Sequence, residues 1–129
     1  MEFNFKNPKL DLVFKYFEEI SKIPRGSGNE KGISDYLAQE GRRLGLEVIQ
    51  DETLNVIIKK EASKGYENAP AVILQGHMDM VCEKNKDIKH DFTKDPIKLQ
   101  VKENYLYADG TTLGADNGIA VAMGLALLA

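Results

Sequence analysis

The sequence predicts an α/β fold in which a mixed sheet is flanked by helices. Three observations carry that expectation. Apolar residues recur at helical spacing in the first third of the chain. Short segments rich in β-branched residues follow. The last stretch is dominated by small and apolar residues that suit a packed helix. The 129 residues fit one domain or part of a larger one, and the apolar share of 43% is enough for a core.

The first helix begins at Asn7-Pro8. Asparagine caps free backbone N–H groups, and proline tolerates the first helical position. Val13, Phe17 and Ile20 then repeat at helical spacing, with Tyr16 and Ile23 beside them, and Pro24 ends the run. Ser27, with Glu30 three residues on, reads as a capping box for a second helix that reaches about Leu44. That helix is expected to bury Ile33, Leu37 and Leu44, and Gly45 to close it in a left-handed conformation.

Leu46-Glu-Val-Ile49 and Asn55-Val-Ile-Ile58 read as strands. A polar connection, Ser63 to Pro70, leads to Ala71-Val-Ile-Leu74. This third strand is apolar on both faces, as in a sheet covered on both sides. Lys84 to Pro96 reads as a charged, exposed loop. Ile97 to Val101 and Tyr105 to Ala108 are expected to pair around Glu103-Asn104. Asp116 to Ala129 reads as a buried helix whose Gly and Ala faces allow close packing. The chain shows no internal repeat, low-complexity tract or clear linker.

Composition excludes several functions. A net charge of −3, with no basic stripe, gives no case for nucleic acid. No apolar run has the length to cross a membrane, and Met1 to Pro8 lacks the pattern of a signal peptide. A lone cysteine, Cys82, cannot form an internal disulfide and fits a reducing, cytoplasmic setting.

Most glycine-rich and polar motifs have plain explanations. Gly26-Ser-Gly28 follows a helix rather than a strand and lacks the third glycine of a dinucleotide loop, so capping explains it better. Gly110 to Gly114 lacks the Gly-Lys-Ser/Thr ending of a phosphate loop. Asp109-Gly-Thr-Thr lacks the ligands of a calcium loop. His90 lies among charges and is expected to be solvated. Cys82, with no second cysteine at ligand spacing, reads as a small buried hydrophobe.

His77 and Asp79 are different. Two residues apart on a strand places them on one face. A carboxylate there can accept the N–H of one ring nitrogen and leave the other free for a metal. Gly76 leaves room for a close approach. The pair would sit at the carboxyl end of a central strand, where open α/β sheets bind ligands. A buried histidine satisfied by a neighbouring carboxylate explains the same residues, and the pair alone does not choose. Asp116, between Gly114 and Gly118, reads either as a helix N-cap or as a carboxylate able to bridge two cations.

Taken together, Gln75-Gly-His-Met-Asp-Met-Val81 and Ala108-Asp-Gly-Thr-Thr-Leu-Gly-Ala-Asp-Asn-Gly-Ile119 resemble the two-zinc exopeptidases that include carboxypeptidase G and carnosinase. Ile23-Pro-Arg-Gly-Ser-Gly-Asn-Glu-Lys-Gly32 and Gly76-His-Met-Asp-Met-Val-Cys-Glu83 resemble the aminoacyl-histidine (Xaa-His) dipeptidase branch in particular. The resemblance runs from about Leu12 to Ala129.

It implies a zinc-peptidase-like catalytic domain, of which residues 1–129 are the N-terminal part, without the lid domain that usually carries dimer contacts. It implies that His77 binds a metal and that Asp116 bridges two. Asp79 would count as a catalytic residue by holding the His77 imidazole. The implied cofactor is a pair of zinc ions, with cobalt or manganese as substitutes. The implied reaction is hydrolysis of short peptides, such as Xaa-His dipeptides, by a metal-activated water. A cis peptide bond between Asp116 and Asn117 is implied too.

The family's consecutive glutamates, one a general base and one a ligand, have no match in this chain. Its remaining ligands have none either. The 129 residues alone are therefore expected to be inactive, and to self-associate as dimers or larger assemblies. An amidohydrolase or deacylase of the same superfamily would use the same three residues. A non-catalytic α/β interaction module would keep them for capping and packing.

Overall fold

Residues 1–129 are described by a computed structural model. Three helices and four short strands follow in the order α1 (Pro8–Ser21), α2 (Lys31–Arg43), β1 (Glu47–Gln50), β2 (Val56–Lys59), β3 (Leu99–Lys102), β4 (Tyr105–Ala108) and α3 (Ala115–Leu128). The α/β class holds. The sheet is smaller than the sequence suggests: β1 pairs only with β2 and β3 only with β4, both antiparallel.

Local chemistry sets most boundaries. The Asn7 side chain accepts from the backbone N–H groups of Lys9 and Leu10, at 3.2 and 3.4 Å, and so caps α1 as expected. Gly45, at φ 75°, closes α2. Its N–H donates to Arg42 O and that of Leu46 to Gly41 O, a paired closure that satisfies two carbonyls at the helix end. The start of α2 differs from expectation. Glu30 occupies the cap position without a side-chain cap, and the Ser27 hydroxyl points elsewhere.

The core forms where α1 meets α3 and α2. Phe17 and Ile20 lie against Ala122 and Leu125, with Ile33 and Leu37 from α2. A side chain of that kind contributes roughly 1.5–3 kcal/mol when fully buried. Gly118 makes the α1–α3 approach possible: a Cβ there would lie 3.2 Å from Phe17 and 3.3 Å from Ile20. Leu44, expected in the core, is only half-buried, because it has become the residue that ends α2.

A polar link also joins α1 to α2. The Tyr16 hydroxyl donates to Glu40 Oε1 at 2.7 Å, and Arg43 Nε donates to Oε2 at 2.9 Å. The Arg43 hydrogen bond, opposed by partial burial and aided by Tyr16, holds the Glu40 carboxyl below its ordinary pKa. Because the folded-state value is depressed, this stabilisation is complete above the ordinary glutamate pKa. It is lost as pH falls through the lowered one. Glu40→Ala leaves a buried tyrosine hydroxyl without its acceptor and should cost about 1–3 kcal/mol. Urea midpoints should show that gap at neutral pH and a smaller one in acid.

The expected third strand is the largest departure. Ala71 to Leu74 pairs with nothing, and Val72, Ile73 and Leu74 are 81%, 90% and 64% exposed. A strand needs a neighbour to take its backbone groups, and neither two-stranded sheet reaches this segment. The expected strand covered on both faces does not form: the apolar residues of this segment lie uncovered within this chain. In α3, likewise, Gly118, Ala122 and Leu125 are buried while Met123 and Leu127 are exposed. No helix is long and apolar enough to cross a membrane.

Candidate metal centre

Residues 24–28 run beside the segment that carries His77 and Asp79. Gly26 and Met80 form a parallel bridge, and Met80 N–H donates to Arg25 O at 2.9 Å. The Arg25 side chain turns inward and is 2% exposed. Its Nη1 donates to Met78 O at 3.2 Å and its Nη2 to Gly114 O at 2.8 Å. One guanidinium therefore joins the His77–Asp79 segment to the turn that opens α3. Its fork of donors suits two carbonyls in a way a single ammonium cannot. Arg25 Nε has no partner, and burial lowers the pKa of the whole group, so the position is chemically expensive.

The neighbouring glycines make room for this arginine. A Cβ at Gly114 would lie 2.6 Å from Arg25 Nη2 and 2.8 Å from Met80 Sδ, and at Gly118 it would lie 2.7 Å from Nη2. Gly114 also has φ 78°, a conformation that disfavours other residues. Gly76 permits the close approach expected of it: a Cβ there would sit 3.2 Å from Asn117 Nδ2. Thr112 adds a second tie, donating to Val81 O at 2.7 Å and accepting from Glu83 N–H at 3.3 Å.

His77, Asp79 and Asp116 lie together, as the family resemblance implies, but not on the strand that the sequence predicts. His77 Nδ1 lies 3.0 Å from Asp79 Oδ1 and 3.1 Å from Asp79 O. His77 Nε2 lies 3.1 Å from Asp116 Oδ1. Asp116 is not the N-cap of α3, a position that Gly114 occupies. Its carboxylate is almost fully exposed, and the Asp116–Asn117 peptide bond is cis. Half of the His77 side chain is exposed, so this histidine is not the buried, internally satisfied one of the plainer explanation.

The electrostatics follow from these contacts. Desolvation lowers the His77 pKa, but the Asp116 and then the Asp79 hydrogen bonds outweigh it, and the net shift is upward. Asp79 is held below the ordinary carboxylate value, first by the Ser27 hydroxyl and, against some desolvation, by His77. The three side chains offer one imidazole nitrogen and one open carboxylate to a common space, with a second carboxylate behind the ring. That donor set suits a divalent cation such as zinc. It is too small to enclose one, and the chain has no group of three or more metal-ligating side chains gathered around a single point.

Sequence reasoning missed two contributors. Ser27 was assigned to a helix cap, and Arg25 was not singled out at all. No sequence signal marks Arg25 for burial: an arginine between Pro24 and Gly26 reads as solvated, and the carbonyls that satisfy it lie far along the chain. His90 was expected to be solvated. It is half-buried instead, packed edge-on against Phe92 at 4.5 Å between ring centres, with Nε2 lacking a partner. Cys82 is half-buried, and desolvation raises its thiol pKa, in line with an unreactive packing residue.

No family model matches the chain. Known proteins do resemble it. It is 45% identical over 117 residues to the cytosol non-specific dipeptidase of Escherichia coli strain K12, across 91% of this chain and 24% of that protein. The crystal structure of the aminoacylhistidine dipeptidase from Vibrio alginolyticus superposes with a TM-score of 0.89 at 44% identity, covering 92% of this chain and 24% of that one. A tripeptidase from Staphylococcus aureus superposes with a TM-score of 0.72 at 28% identity, covering 91% of this chain and 31% of that one. The resemblance read from the two motifs is borne out, and the chain spans about a quarter of the length of the dipeptidases it matches.

Proposed function

We propose that the chain forms part of the catalytic domain of a metal-dependent dipeptidase, and that His77 and Asp116 supply ligands to its metal centre. The metal is zinc, as the family resemblance implies, with cobalt or manganese as substitutes; an imidazole nitrogen and a carboxylate suit all three. The substrates are dipeptides and other short peptides, Xaa-His dipeptides among them. One observation carries the reading: His77 Nε2 faces Asp116 at 3.1 Å while Nδ1 is occupied by Asp79. An imidazole nitrogen and a carboxylate oxygen this close together could both reach one cation.

Each residue then has a task. Asp79 accepts the Nδ1–H of His77, which fixes the ring and directs the Nε2 lone pair outward. Asp116 would help to hold the metal pair that the family resemblance implies, with Oδ1 toward His77. Arg25 holds the backbones of Met78 and Gly114, and through them the separation of the two motifs. A bound metal would lower the pKa of a water molecule and polarise the peptide carbonyl. Two ligands hold a metal weakly, and no side chain of this chain stands in the general-base role. The 129 residues alone therefore should not turn over peptides.

Calorimetric titration of the chain with zinc or cobalt tests the reading. A weak saturable site that needs both His77 and Asp116 supports it, and absence of saturable binding overturns it. A second expectation concerns assembly. Ile73 and its neighbours form an exposed apolar patch, continued by an open groove of about 170 Å³ between Leu37, Ile58, Leu74, Met78, Val121 and Leu125. Surfaces of this kind favour association. Light scattering over a concentration series should show dimers or larger species, and the Ile73→Lys variant should shift the population toward monomer.

A further inference from the structure

We infer that Ser27 is a positioning residue for the metal centre, acting on His77 through Asp79. This deepens the reading above and rests on it. The Ser27 hydroxyl donates to Asp79 Oδ2 at 2.5 Å, while Oδ1 faces His77 Nδ1 at 3.0 Å. Both oxygens of one carboxylate are therefore engaged, one on each side. A carboxylate tied at one oxygen alone can swing about its side-chain torsions, whereas one tied at both cannot swing without breaking a contact.

The placement of Ser27 is built into the backbone. The Gly26–Met80 bridge fixes the preceding residue against the site segment. Asn29 N–H donates to Gly26 O at 2.8 Å and closes a turn around Ser27. Gly28, at φ 88°, donates its N–H to Glu30. The hydroxyl takes no part in capping α2, which has no side-chain cap, so the residue is spare for another use.

The consequence concerns the ring proton of His77. A neutral imidazole carries one N–H, and here two sets of acceptors compete for it. Asp79 offers its carboxylate and its backbone oxygen to Nδ1, while Asp116 offers one oxygen to Nε2. Only the form protonated at Nδ1 presents Nε2 as a ligand. Ser27 keeps Asp79 oriented toward Nδ1 and so favours the binding-competent form.

The test compares the wild-type chain with Ser27→Ala and Ser27→Thr. Ser27 is exposed, so loss of the hydroxyl should leave the urea midpoint unchanged and threonine should fit. Imidazole ¹⁵N shifts, read without metal in alkaline buffer where the ring is neutral, report the two tautomers. In Ser27→Ala the share protonated at Nδ1 should fall. Zinc affinity should fall by about tenfold, the low end of what partners of metal ligands contribute. Ser27→Thr should restore both. An unchanged tautomer balance in Ser27→Ala overturns the inference. So does failure of threonine to rescue a changed one. If the wild-type chain binds no zinc, the metal reading fails, and the imidazole shifts still decide the role of Ser27.

Discussion

Replacing Arg25 with alanine is expected to destabilise the chain by about 3–5 kcal/mol, from lost carbonyl partners and from the cavity left behind. Domains of this size are stable by only about 5–15 kcal/mol, so a large part of the folded population is at stake. Met78 O and Gly114 O both lose their side-chain donor, and the space that Gly114 and Gly118 leave open is no longer filled. Two controls separate these causes. Arg25→Met fills the space without donors, and Arg25→Lys keeps the charge but can satisfy only one direction well. Both should fall between wild type and alanine. A urea midpoint for Arg25→Ala equal to that of wild type would show that the guanidinium does not hold the two motifs together.

Replacing His77 with alanine should abolish measurable metal binding by the chain. Asp116 alone then faces the site, and a single exposed carboxylate is a poor ligand set for zinc. In a protein of the relatives' full length that carries this segment, hydrolysis should fall by orders of magnitude and zinc content should drop with it. Asp79→Ala should behave differently. It leaves both ligands in place but frees the ring, so affinity should weaken by about 10- to 100-fold rather than vanish. Neither substitution removes a core contact, so unfolding midpoints should change little. Near-normal zinc binding by His77→Ala would sink the assignment of the site.

The sequence by itself determined those local elements that rest on one or two residues. Asn7-Pro8 and Gly45 mark helix ends because capping and left-handed backbone are properties of one or two residues. The pairing around Glu103-Asn104 was legible for the same reason, although β3 begins at Leu99 rather than Ile97. His77, Asp79 and Asp116 drew notice by their spacing and glycine surroundings, but spacing fitted a packed histidine and a helix cap equally well, and their roles came only from the family resemblance of the two motifs.

Tertiary structure decided how those residues are held. Whether Ala71 to Leu74 becomes a strand depends on a partner strand, which no periodicity within the segment can supply. Whether Ser27 caps α2 or binds Asp79 depends on a residue 52 positions away. The role of Arg25 depends on two carbonyls 53 and 89 positions away. Capping and turn preferences act over a few residues and can be read along the chain. Hydrogen bonds to distant backbone, and the burial of a charge that they permit, exist only once the chain has closed on itself.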